Sequence, residues 1–283
     1  MHIVIAPDSF KGTLSSKQII EIVSAEAHLH FPEAKITGVP IADGGEGTVQ
    51  AVLASCGGRT RHIAVTNPLF EQVDAAYGIM ENIDGSLSAI IEMAAASGLT
   101  LLPAAQRNAL ITTSYGTGEL IADALRQGIK DITIAVGGSA TNDGGAGAMA
   151  ALGFRFLDEN GRDVTPTGEN LIHISRIDTS GRLPELTENV SFTVMCDVRS
   201  PFTGPDGATY TYAPQKGAAD DALFLLEEGM LHFAEVIKRD LGKDIKDVSG
   251  SGAAGGLSGA LCAFLDAKLQ SGIKTMLKLV RFE

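Results

Sequence analysis

Three glycine-rich turns, each carrying an acid and each following directly on a short apolar run, restrict the fold of this chain more than any other feature of its sequence. They are Pro7-Asp8-Ser9-Phe10-Lys11-Gly12, Asp43-Gly44-Gly45-Glu46-Gly47-Thr48 and Gly137-Gly138-Ser139-Ala140-Thr141-Asn142-Asp143-Gly144-Gly145. A strand that ends in such a turn and gives way to a helix is the repeating step of an α/β fold. Glycine lets backbone N–H groups crowd an anion, while nearby carboxylates can hold a metal ion that screens its charge. The pattern points to phosphate chemistry with Mg²⁺.

Strand-like runs alternate with helical patterns along the chain. Strands are expected at 2–6, 35–41, 61–65, 88–92, 131–136 and 192–196, and helices near 46–55, 115–127, 143–152, 220–240 and 253–268. The first helix starts at Ser15, because Ser15 and Gln18 form a capping box and Leu14 with Ile19 fits a hydrophobic staple. Its stripe of Ile19, Ile20, Val23 and Ala27 then faces the sheet. Two stretches break the alternation: 73–92 reads as paired strands, and 154–164 carries Asn160-Gly161, a hairpin turn signal. A chain of 283 residues can bury a substantial core in one large or two modest domains. With no repeat or flexible linker, a second domain is expected to be inserted and packed.

A hydrophobic content of 45% with 20% charged residues is globular, and no apolar run approaches the length of a membrane span. The amino terminus lacks a basic lead-in and reaches Asp8 early, so a cytoplasmic location is expected. Cys56, Cys196 and Cys262 are widely spaced and form no CxxC pair, which suggests buried thiols in place of a disulfide framework or a zinc site. A net charge of −12 argues against nucleic-acid or anionic-membrane partners, which require a dense basic surface. It leaves a small anionic ligand open.

Each candidate has a structural alternative. Asp8 and Lys11, at the carboxyl end of a first strand, sit where open α/β sheets bind ligands, or else belong to a solvated connection. Asp43 precedes Gly-Gly and open space for a ligand, whereas Glu46 or Thr48 can cap the next helix. In the long turn, Gly137, Gly138, Ser139, Thr141 and Asn142 place amides and hydroxyls at a helix start, a favourable anion site, although small residues also serve close packing. Ser114 and Thr117 repeat this chemistry in Thr112-Thr113-Ser114-Tyr115-Gly116-Thr117. Asp197 follows Val194-Met195-Cys196 and is a site residue or the acid of a salt-bridged turn with Arg199. Lys216 lies in the turn Ala213-Pro214-Gln215-Lys216-Gly217 before a helix and is placed to contact phosphate. GxxxxGK[ST], HExxH and GxSxG are absent, and the GxGxxG match at 250–255 follows a stretch too polar for a buried strand.

With these motifs the chain resembles the bacterial type I glycerate kinases, over essentially its whole length. Five motifs occur in order: Ala6 to Gly12, Ala42 to Thr48, Glu92-Met93-Ala94-Ala95-Ala96-Ser97-Gly98-Leu99, Gly137 to Gly145, and Gly252-Ala253-Ala254-Gly255-Gly256. The resemblance implies a two-domain α/β fold: a flavodoxin-like parallel-sheet domain, 1–64 with 245–283, and an inserted mixed α/β domain, 65–244, with the site in the cleft between them. It implies ATP-dependent phosphorylation of D-glycerate, commonly at the 2-hydroxyl, feeding glyoxylate or sugar-acid breakdown into glycolysis.

Phosphoryl transfer rests mainly on positioning and electrostatics, and roles are assigned on that basis. Asp43 and Asp197 are candidate Mg²⁺ ligands or catalytic bases. Lys11 and Lys216 would bind substrate carboxylate or phosphate, Asp8 would orient Lys11 or hold metal through water, and 137–142 would cradle phosphate. Members of the family continue into a Gly-Glu-Gly-Arg segment that is not found before Glu283. The flavodoxin-like domain is therefore expected to be incomplete, with an open edge that invites a homo-oligomer or a complementing C-terminal fragment. An inactive, ligand-binding remnant and a dinucleotide-binding oxidoreductase are the alternatives.

Overall fold

The capping box at the first helix forms as the sequence requires: the Gln18 amide donates to Ser15 Oγ at 3.3 Å, and the Ser15 amide donates to Gln18 Oε1 at 2.9 Å. The computed structural model describes the whole chain except Ser9, Lys11, Gly12, Asp43, Glu188 and residues 280–283. Strand β1 (His2–Ile5), helix α1 (Ser16–His30) and strand β2 (Lys35–Gly38) form one unit, in which β1 and β2 pair in parallel. This unit buries less than its sequence suggests. Of the expected stripe on α1 only Ile19 is buried, and Val23 is exposed. In β1 only Ile5 is buried, because a two-stranded sheet offers little to pack against.

Helix α2 (Thr48–Cys56) leads into the main sheet. Strand β3 (Arg59–Thr66), β4 (Gln72–Glu81) and β5 (Leu87–Glu92) are antiparallel neighbours, so the paired strands expected at 73–92 are present. Helix α3 (Ala94–Ser97) and α4 (Tyr115–Arg126) cross to β6 (Asp131–Ala135), which pairs in parallel with β5. Beyond α5 (Ala146–Ala151), strand β7 (Arg155–Leu157) pairs with β8 (Arg176–Asp178). The Asn160-Gly161 turn closes with Asp158 N–H to Arg162 O at 2.8 Å, yet the longer partner of β7 is β8, whose nearest pairing joins Leu157 to Arg176. Strand β9 (Ser191–Met195) joins β6 in parallel. Helices α6 (Ala208–Tyr212), α7 (Asp220–Leu241) and α8 (Leu257–Leu265) precede β10 (Lys268–Gln270), which pairs in parallel with β9, and α9 (Gly272–Leu279) follows.

The sheet order is β10-β9-β6-β5-β4-β3. It carries through both boundaries expected at 64/65 and 244/245, because β3 begins at Arg59 and β10 hydrogen-bonds to β9. Neighbouring residues on each parallel strand enter opposite layers, as period-two side chains must. Ile91, Ile134 and Val194 pack in the large core with Leu120 and Phe233, while Ile90, Ala135 and Met195 pack in a smaller one with Val49, Val52 and Met276. The fold is mixed α/β, with helices on both faces of the sheet.

Candidate active site

The carboxyl ends of β5, β6 and β9 lie side by side, and the glycine-rich turns meet there. Gly137 N–H donates to Gly44 O at 3.0 Å, and a Cβ on Gly137 would stand 2.7 Å from Gly45 Cα. Only a residue without a side chain permits this approach. Gly44, at φ +93, in turn lies against Met195 at the end of β9. The other side of the long turn is tied to the Ala-Ala-Ser-Gly-Leu segment, with Leu99 N–H to Gly138 O and Ala140 N–H to Ser97 O, both at 2.9 Å. Gly137, Gly138 and Ser139 thus sit at the sheet end, gripped by 44–45 and 97–99. Asp8 is half-buried, and the neighbouring Pro7 O accepts from Ile41 N–H at 3.1 Å, which ties this turn to the segment leading into 44–47. Lys11 and Asp43, two of the charges assigned from sequence, lie outside the described residues.

The remainder of the long turn runs into the interior. Asp143 is completely buried and accepts from Ser114 N–H and Oγ, both at 2.7 Å, and from Gly145 N–H and Gly147 N–H. Burial pushes its carboxyl above the usual range, and those hydrogen bonds pull the other way. Gly255 accepts from Gly144 N–H at 2.9 Å. Lys216, only 1% exposed, donates to Thr141 O at 2.7 Å. Burial brings its ammonium down to about 7, against the pull of Asp143. Thr141 Oγ1 and Asn142 Oδ1 are buried with no hydrogen-bond partner among the described residues.

Ser114 and Thr117 are both fully buried, Ser114 bound to Asp143 and Thr117 to Ser97 Oγ at 2.8 Å. Their hydroxyls hold helix α4 in the core. Lys216 likewise supports the turn from beneath, and its described contact is a carbonyl. Sequence pattern did not separate these roles because hydroxyls at a helix start look alike whether the helix begins at the surface or inside.

Asp197 follows β9 and is exposed, but it makes no salt-bridged turn with Arg199 among the described contacts. Its Oδ1 accepts from Ser271 Oγ at 2.8 Å and Gly272 N–H at 3.0 Å, and its Oδ2 from Ile273 N–H at 3.3 Å, so it caps α9. The helix α2 also has a cap that local sequence does not reveal. Neither Glu46 nor Thr48 caps it; Glu92 Oε1 accepts from Val49 N–H at 2.6 Å. The three cysteines form no disulfide, and Cys56 is exposed, its Sγ donating to Leu279 O at 2.7 Å. Among the described residues no three His, Cys, Asp or Glu form a cluster suited to a metal ion. No strand precedes the GxGxxG match at 250–255, which enters α8 through a short 3₁₀ turn. That leaves the dinucleotide alternative without its structural context. No helix among the described residues is long and apolar enough to cross a membrane.

The comparisons with known proteins agree on one family. A family model described as the glycerate kinase family matches residues 3–283. The chain is 48% identical over 283 residues to a glycerate 2-kinase of Escherichia coli (strain K12), covering 100% of this chain and 73% of that relative. It is 48% identical, with the same coverage, to a glycerate kinase of Bacillus subtilis (strain 168). A crystal structure of a glycerate kinase 2 from Salmonella typhimurium LT2 superposes with a TM-score of 0.89 at 45% identity, covering 99% of this chain and 74% of that one.

Proposed function

The chain belongs to the glycerate kinase family, and from that premise we propose that it transfers the terminal phosphoryl group of ATP to the 2-hydroxyl of D-glycerate. The observation that carries this reading is the pair of interlocked turns, 44–47 and 137–139, at the carboxyl ends of three parallel strands. Such a place gives a phosphate close access to backbone N–H groups and little side-chain obstruction.

The donor set fits Mg²⁺ carried by a nucleotide, which takes one or two protein carboxylates and fills its shell with phosphate and water. Asp197 fits as one ligand, since it is exposed and its Oδ2 accepts a single hydrogen bond of 3.3 Å. Asp43 would be the other ligand or the base that accepts the hydroxyl proton. When bound, the ion offsets negative charge that develops on the transferred group. Lys11 and Asp8 would hold the glycerate carboxylate, and Gly137, Gly138 and Ser139 would orient the phosphoryl group in line with the attacking hydroxyl.

The test is a coupled assay with D-glycerate, ATP and Mg²⁺ that resolves 2-phosphoglycerate from 3-phosphoglycerate. The expected product is 2-phosphoglycerate, with Asp43→Asn and Asp197→Asn each lowering turnover by about 10²-fold or more. Near-normal turnover by either variant removes that residue from the chemistry. Formation of only 3-phosphoglycerate overturns the regiochemistry.

A further inference from the structure

We propose that Glu92 is a positioning residue of this site: its carboxylate latches the first turn of α2 and thereby holds the 44–47 turn against the 137–138 turn. The inference rests on the functional reading above and adds to it a residue that does not touch the substrate. Helix α2 starts after Gly47, a left-handed residue at φ +92, and receives no side-chain cap from its own segment. Thr48 N–H turns back to Gly45 O at 3.3 Å, and the next amide, Val49 N–H, needs an acceptor from outside the segment. Glu92 supplies the partner from 43 residues away, with Val49 N–H at 2.6 Å and the amides of Gly47 and Thr48 facing the same carboxylate.

The contacts close a ring. Glu92 ends β5, and the next amide, Met93 N–H, donates to Ala135 O at the end of β6 at 3.0 Å. Beyond β6 the chain reaches Gly137, whose amide donates to Gly44 O at 3.0 Å, and from Gly44 the chain returns through Gly47 to the Val49 amide held by Glu92. An anion suits this position, because a helix N-terminus carries partial positive charge. A neutral side chain of the same shape would keep an acceptor and lose that attraction.

Glu92 is nearly buried, at 8% exposure, on the wall of a cavity of about 730 Å³ between α1 and α2. Among the described residues, the other charged groups on that wall are Lys17 of α1 and Glu46 of the turn. Burial and the nearby Glu46 push the Glu92 carboxyl above its usual range, while the backbone amides pull it down. Mild acid should therefore weaken the latch before it protonates ordinary surface carboxylates.

The experiment compares wild type with Glu92→Gln and Glu92→Asp, reading hydrogen exchange over 44–52 together with kcat, KM and their pH profiles. Glu92→Gln is expected to speed exchange in 44–52 about tenfold while β6 and β9 stay protected, to lower kcat about tenfold with little change in glycerate KM, and to remove an acid limb from the kcat profile. Glu92→Asp keeps the charge one methylene short and is expected to fall between the two, which preserves the test if the glutamine variant does not fold. Unchanged exchange over 44–52, or wild-type kcat in Glu92→Gln, overturns the proposal. Should wild type fail to phosphorylate glycerate, the functional reading fails, and the exchange data still decide the latch.

Discussion

Lys216 shows how a single buried charge couples the turn to pH. Its ammonium is enclosed beneath Thr141, and burial brings it to about 7. Between about pH 7 and the ordinary lysine value the unfolded chain holds a proton that the folded chain has released, so stability rises with pH across that window. Below about 7 both states are protonated and the penalty for burying the charge is felt in full. Lys216→Met removes this term. Denaturant midpoints are therefore expected to rise for wild type relative to the variant between about pH 7 and about pH 9.5; parallel curves would show that the ammonium is not perturbed. A lysine in a Pro-Gln-Lys-Gly turn reads as a surface residue, and the packing of this turn against α6 and the long turn encloses it.

Among the elements, the glycine turns act as fitted parts. Gly137→Ala would bring a methyl group onto the backbone of Gly45 and Gly44, at 2.7 Å and 3.1 Å, where no flexible side chain can yield. The variant is expected to lose about 1–3 kcal/mol in a denaturant titration. Its turnover should fall at least about tenfold, because the two turns can no longer meet. Wild-type stability and turnover together would show that the turns move independently. Helix positions were legible where local chemistry decides them. The capping box at Ser15 and the period of α4 and α7 lie in the segments themselves. The caps of α2 and α9 were not legible, because Glu92 and Asp197 arrive from other strands, 43 and 75 residues from the amides they accept.

For the molecule as a whole, burial is uneven. The large core surrounds the six-stranded sheet, whereas residues 1–38 contribute only Ile5, Ile19 and Ala34 to the buried apolar set and leave Val4, Ile22, Leu29 and Phe31 exposed. A unit with so few buried contacts should open at lower free energy than the sheet. Native-state hydrogen exchange is expected to show β1, α1 and β2 exchanging well before β6 and β9. Equal protection throughout would mean that the unit and the sheet unfold as one.

The amino-acid sequence by itself determined the alternation of strand, turn and helix and the identity of the glycine turns. Both rest on short-range effects: side-chain period, capping, and the backbone freedom of glycine. It also carried the family, through motifs kept in order along the whole chain. Only the tertiary structure decided which polar residues face the site and which are enclosed. Ser114, Thr117, Asp143 and Lys216 have the composition of a ligand site and lie in the interior, while Glu92, which has no local mark of function, holds one of the turns. Burial is set by contacts between segments distant in sequence, so its effects on charge, hydrogen bonding and access appear only once the strands are side by side.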